Sequence, residues 1–190
     1  MSLSEQEEQR RKSREEIINL GIDPYPSEMY GVNTSTDEVK NNFDEKKDNY
    51  KDVVIAGRLM SRRVMGSASF AEIQDAKGKI QIYVRRDDIC DTEDKTLYNT
   101  VFKKKLDLGD IIGIRGYTFI TKMGEVTIHV KELKVLSKSV RPLPVVKETT
   151  DDKGESTKHD VFSNKELKYR RRYIDLIAVS YTHLTLPTKA

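Results

Sequence analysis

"MGSASFAEIQDAKGKIQIYV", residues 65–84, reads as two β-strands joined by a tight turn. Successive side chains of a strand point to opposite faces, so Ala71 and Ile73 share one face of the first strand, and Phe70, Glu72 and Gln74 the other. In the second strand Ile80, Ile82 and Val84 point one way and Gln81, Tyr83 and Arg85 the other. Between them lies DAKG, Asp75–Gly78, whose residue types favour a turn. Phe70 is the anomaly, an aromatic ring among polar side chains on the face that should meet water.

Working outward, VVIAGRLMSRRVMG (residues 53–66) has strand propensity with a glycine inside it, a mark of a bulge or of a bend where a sheet curls into a barrel. KTLYNTVFKKKLDLGD (95–110) carries Leu97, Val101 and Leu106 near helical spacing, with Phe102 beside them, and predicts a short amphipathic helix ending at Gly109. DIIGIRGYTFITKMG (110–124) is a glycine-punctuated strand, and EVTIHVKELKVL (125–136) alternates Val126, Ile128 and Val130 inward against Thr127, His129 and Lys131 outward. Three strands, a helix and two strands is the order of the OB-fold. The expected fold is therefore mainly β: a five-stranded barrel that binds oligonucleotides on an exposed sheet face, with an N-terminal helix and a short helix between strands 3 and 4. Gly57, Gly113 and Gly116 are expected to permit strong curvature, and no glycine-rich phosphate loop occurs.

Upstream, SLSEQEEQRRKSREEIINLG (2–21) opens on a capping-box pattern, Ser4 with Glu7, and stops at Gly21. This helix is polar nearly all round until Ile17, Ile18 and Leu20, so it is expected to be loosely held or to rest on something outside the core. Arg10, Arg11, Lys12 and Arg14 either reach RNA phosphates or are ordinary solvated charges. After a turn through two prolines, residues 34–51 are polar with little periodicity. The expected organisation is an N-terminal helix and irregular segment over 1–52, the barrel over 53–140 and a proline-containing, then polar, linker over 141–164. A segment with a helical look (165–178) follows, too short to build a second core. VSYTHLTLPT (179–188) resembles the translation of a transposon-end adapter from sequencing libraries, so 179–190 is expected to be an adapter-derived tail on a native sequence that stops near Ala178.

Of the 190 residues 36% are hydrophobic and 34% charged, enough for a modest core beneath a heavily charged surface; formal net charge is +3 and the pI about 8.8. The charge is concentrated. Between Val53 and Arg86 seven positives (Arg58, Arg62, Arg63, Lys77, Lys79, Arg85, Arg86) meet two negatives (Glu72, Asp75), a local balance of +5 that suits a phosphate backbone. One cysteine, Cys90, excludes an internal disulfide and a cysteine-based zinc site; it stands among aspartates and is taken as incidental to a polar loop. The three histidines are scattered and suggest no metal site. No apolar run approaches membrane-spanning length and the N-terminus lacks an apolar signal core, so a cytoplasmic protein with no membrane partner is expected.

On an exposed basic sheet an aromatic ring stacks on an unpaired base, with a gain of about 1–3 kcal/mol per base. Stacking does not choose the base; Gln81, on the polar face of the next strand, has an amide that donates and accepts at once, matching the O4 acceptor and N3–H donor of uracil. Arg63 adds a donor for a base oxygen or a phosphate, and Glu125, at the start of the fifth strand, is an acceptor suited to an N3–H. The alternative is that Phe70 caps an end of the barrel and Gln81 is ordinary surface.

VMGSASFAEIQDAKGKIQIYVRRDD (64–88), LDLGDIIGIRGYTFITKMGEVTIHV (106–130) and LKVLSKSVRPLP (133–144) closely resemble the anticodon-binding domain of the class II lysyl-tRNA synthetase family. NLGIDPYP (19–26) and YRRRYIDLI (169–177) are similar to that family's N-terminal turn and to the segment just before its catalytic core. The aspartyl and asparaginyl families share the barrel and the Phe-to-Gln spacing, but the last two segments favour the lysyl family. The resemblance implies that Phe70 stacks on an anticodon base, that Gln81 and Arg63 read the central uridine and that Glu125 contacts a neighbouring uridine. It implies a parent enzyme that joins lysine to tRNA through a lysyl-adenylate, using ATP and Mg²⁺, and that acts as a homodimer. The family's catalytic residues lie beyond YRRRYIDLI, so the chain itself is expected to hold no catalytic residue, to bind neither ATP nor Mg²⁺, and to bind tRNA weakly without aminoacylating it. A free-standing OB module for single-stranded nucleic acid, or a barrel that docks protein, are the competing expectations.

Overall fold

The alternation of small or aliphatic with polar residues from Val53 onward does what the sequence requires. The computed structural model describes residues 4–47, 49–90, 93–143, 147–150, 156–159, 169–170 and 172–173. Its strands are β1 (Val53–Met65), β2 (Ala68–Gln74), β3 (Lys79–Arg85), β4 (Ile111–Ile120) and β5 (Val126–Ser137). They form a closed barrel in the order β1–β2–β3–β5–β4, with β1 completing the ring against β4. All pairings are antiparallel except β3 with β5, which is parallel. β1 serves two neighbours, pairing through Val53–Arg58 with β4 and through Arg58–Met65 with β2, and a bulge between Leu59 and Ser61 turns it from one to the other.

Inside the ring Ile55, Leu59, Ile73, Ile80, Ile82, Ile112, Ile114 and Ile128 are fully buried. Between β3 and β4 come a short helix α3 (Arg86–Ile89) and a π-helix, Leu97–Lys105. The π-helix closes the barrel with Tyr98, Val101 and Phe102, followed by Leu106, all at zero exposure. The Tyr98 hydroxyl is satisfied by Ser69 Oγ at 2.8 Å. Cys90, expected in a polar loop, is instead 5% exposed and part of this core, because the chain around α3 turns back onto the barrel.

The N-terminal helix α1 (Glu5–Asn19) carries the expected capping box but is not loosely held. Only Ser13 and Ile17 of it are buried; polar contacts supply the rest. Arg10 donates to the carbonyls of Leu108 (3.0 Å), Ser139 and Arg141 (both 3.2 Å), and Glu16 pairs with Lys105. A second helix, α2 (Thr36–Asn42), falls where no periodicity announced one. Its signals are local: the Ser35 hydroxyl accepts from Glu38 N, and a single apolar residue, Val39, is buried. Asp75 ties α2 to the β2–β3 turn, accepting from Thr36 N (2.8 Å) and Oγ1 (2.7 Å), Lys77 N (2.7 Å) and Gly78 N (2.8 Å). Burial pushes the Asp75 carboxyl up, but these bonds outweigh it and hold it below the usual carboxylate range. A depressed carboxylate contributes stability that is fully present above its unfolded pKa and is lost as pH falls through the folded one. Acid titration of the unfolding free energy therefore falls off below about pH 4 in the native chain, and Asp75→Asn flattens that fall; an unchanged profile would contradict the role given to Asp75.

All three barrel glycines answer to close approach as well as to curvature, and at two of them an added Cβ would clash outright. Gly116 lies at a register shift between β4 and β5, and a Cβ there would stand 1.9 Å from the carbonyl oxygen of His129. At Gly113 a Cβ would run into the ring of Tyr30, at 2.5 Å.

The chain divides into two units, Met1–Pro142 and Leu143–Ala190. In the second, within the stretch expected to be linker, Lys147–Thr150 pairs antiparallel with Ser156–His159. Of the segment 165–178 only 169–170 and 172–173 are described, and 179–190 lies outside the described residues. Among the described residues no helix is long and apolar enough to cross a membrane.

Candidate nucleic-acid interface

The outer faces of β1, β2 and β3 and the β4–β5 loop enclose an open cleft of about 360 Å³. Phe70, Arg63, Gln81 and Glu125 all line it, together with Glu72 and Met123. Cross-strand register brings them together: Arg63 is opposite Phe70, Glu72 is opposite Gln81, and Gln81 is opposite Thr127, two residues past Glu125. Phe70 is half-buried, its ring tilted at 49° against that of Tyr83 with 5.0 Å between centroids. Arg63 is exposed and has no hydrogen bond or ion pair with the described side chains around it. Met123 is 93% exposed on the rim, a flexible thioether facing the cleft.

Gln81 is not the free amide that its place in the sequence implied. Its Nε2 donates to Glu125 Oε2 at 2.8 Å, and its Oε1 accepts from the Thr127 hydroxyl at 2.9 Å. The carboxylate settles which way the amide faces, since only the NH₂ can meet it. Thr127, expected to point outward to solvent, is fully buried beneath this pair. One N–H and one lone pair of Gln81 remain for a ligand, at fixed positions.

The basic cluster is smaller than the sequence implied. Arg58 is spent on the Gly109 carbonyl (2.7 Å), and Arg62 donates to the carbonyls of Phe102 and Leu106 (2.8 Å to the latter) at the end of the π-helix. A cation there meets the negative end of the helix dipole. Burial lowers the pKa of Arg62, against the pull of Asp107 and Asp110. Lys79 pairs with Glu72 at 3.4 Å and Arg86 with Asp87 at 3.0 Å. Sequence reasoning also missed the rings beside Phe70. Alternation points Tyr83 and His129 outward, but nothing in the sequence sets them side by side; in the fold their centroids are 5.1 Å apart.

Among the described residues no group of three or more His, Cys, Asp or Glu is placed to hold a metal ion.

Residues 53–136, almost the whole barrel, match the family model of the OB-fold nucleic acid binding domain of the tRNA anticodon type. The chain is 54% identical over 182 residues to the lysine–tRNA ligase of Porphyromonas gingivalis, covering 95% of this chain and 31% of that protein. It is 52% identical to that of Christiangramia forsetii, covering 92% of this chain and 29% of the relative, and 50% identical to that of Azobacteroides pseudotrichonymphae, covering 92% and 34%. The chain thus spans about a third of the length of the curated relatives it matches. The barrel thus matches the OB-fold nucleic acid binding domain model, on a chain that is similar over nearly its whole length to about a third of the length of lysine–tRNA ligases.

Proposed function

We propose that this chain is the anticodon-recognising part of a lysine–tRNA ligase and that its cleft takes an unpaired uridine of the tRNA anticodon. The base stacks on Phe70, with Met123 free to fold over it. Gln81 offers its remaining N–H to O4 and its remaining lone pair to N3–H, as a single-stranded base is usually read on its Watson–Crick edge. Arg63 supplies a donor to a base oxygen or the adjoining phosphate, and Glu125, besides orienting Gln81, is an acceptor for a second uridine. The parent enzyme attaches lysine to its tRNA through a lysyl-adenylate with ATP and Mg²⁺, as a cytoplasmic homodimer. On this reading the chain alone binds tRNA and does not aminoacylate it.

What carries the reading is the convergence of an outward aromatic ring, a clamped amide, a carboxylate and an uncommitted guanidinium on one open cleft. Phe70→Ala is expected to weaken binding of a lysine anticodon stem-loop by about 1–3 kcal/mol in a fluorescence titration, with little change in the melting temperature. A large drop in melting temperature, or an unchanged affinity, would contradict it.

A further inference from the structure

The sheet beyond the cleft carries a second set of rings. Cross-strand register puts Arg63, Phe70, Tyr83, His129 and Tyr117 in one row across β1, β2, β3, β5 and β4. Centroids are 5.0 Å apart from Phe70 to Tyr83, 5.1 Å from Tyr83 to His129 and 4.9 Å from His129 to Tyr117. The row ends at Tyr117, which is 37% exposed and stacked on His129 at an interplanar angle of 29°. His129 is clamped at both nitrogens, Nδ1 to the Tyr117 hydroxyl (2.8 Å) and Nε2 to Asp88 (2.7 Å). The tyrosine's polar tip is thus hydrogen-bonded within the protein, while the residue as a whole stays more than a third exposed. Lys131 lies 3.0 Å from Asp88 and 6.0 Å from the centre of the Tyr117 ring. Because β3 and β5 run parallel, the exposed Arg85 and Lys131, each two residues past a ring of the row, flank it on one side.

We propose that Tyr117, backed by His129, is a second stacking platform for an unpaired nucleobase of the same RNA strand whose first base occupies the Phe70 cleft, with Arg85 and Lys131 meeting the phosphates between them. The inference rests on the reading of the cleft given above. Strand spacing sets the distance: three steps across the sheet, roughly 14 Å, separate Phe70 from Tyr117, a span that the next few nucleotides cover. OB-folds engage about 4–16 nucleotides, more than one cleft accommodates. A ring locked by its own hydrogen bonds loses little freedom when a base stacks on it. The ion pair from Lys131 to Asp88 is partly exposed and worth little, so a phosphate can compete for the ammonium.

The test is fluorescence anisotropy of the full chain with single-stranded tri-uridylate and octa-uridylate. Tyr117→Ala is expected to weaken the octamer about 5- to 100-fold, the range that stacking of one base gives, and to leave the trimer within about twofold. Phe70→Ala weakens both. As a second variant that leaves the ring cluster in place, Lys131→Gln lowers the salt slope of octamer binding by about one. The inference is overturned if Tyr117→Ala leaves octamer affinity unchanged, if it weakens trimer and octamer equally, or if Lys131→Gln leaves the salt slope unaltered. Loss with Phe70→Ala alone keeps the cleft and removes the second platform; a native chain that binds neither oligonucleotide sinks the cleft as well.

Discussion

Lys138→Met destabilises the chain by about 3–5 kcal/mol, the usual cost of leaving a buried charge without its partner. Lys138 has no exposed side-chain surface, and its ammonium sits 2.9 Å and 3.2 Å from the two oxygens of Asp110, which is equally buried, and against Asp107. Asp110 also accepts from the backbone amides of Asp107 and Ser139, both at 2.8 Å. This cluster joins the start of β4 to the chain leaving β5, beside the Ser139 carbonyl that holds Arg10 of α1. Burial pushes the Asp110 carboxyl up, and the ammonium pulls it back down. Without the ammonium the folded-state pKa rises further, so the folded variant holds a proton that the unfolded chain gives up. Its deficit then shrinks as pH falls toward that raised pKa. Urea denaturation of native and variant chains near pH 7 and near pH 5 reads both effects. A loss under about 1 kcal/mol, or one that ignores pH, would mean that Lys138 is held by packing alone.

Gly116→Ala should cost about 3 kcal/mol or more, at the upper end of what overpacking does. The added methyl would meet the His129 carbonyl oxygen at 1.9 Å and its carbon at 2.8 Å, both backbone atoms that cannot swing aside. β4 and β5 must separate or lose register at the point where Tyr117 and His129 stack. Gly31→Ala is the control: no atom lies within 4 Å of the position of its Cβ, so its melting temperature should barely move. Equal melting temperatures for the two variants would contradict the account of the β4–β5 approach.

The strands were legible because each buries one face only, and alternation then fixes which residues point out. The outward place of Phe70 and Gln81 follows from Met65–Val84 alone, since a tight turn sets the register of that hairpin. What escaped depends on contacts between distant parts of the chain. α2 has one buried apolar residue, Val39, too few for a period, and its anchor, Asp75, is 39 residues away from Thr36. α1 is held by an arginine reaching carbonyls, which leaves no apolar stripe to find. Arg58 and Arg62 read as surface charge because sequence does not show that helix and loop carbonyls lie beneath them. Thr127 and the ring row depended on the parallel pairing of β3 with β5, which joins segments 46 residues apart between Gln81 and Thr127.

The central claim is that the Phe70 cleft reads a uridine edge through Gln81. Affinity of the full chain for two hairpins of one stem, with UUU and AAA at the anticodon positions, tests it most directly. The expected result is binding of the UUU loop at least about tenfold tighter, a difference near 1.4 kcal/mol, that largely disappears in Gln81→Ala while affinity for the AAA loop holds. Equal affinities in the native chain, or a preference that survives the loss of the amide, would contradict it and leave a barrel that grips single strands without reading them.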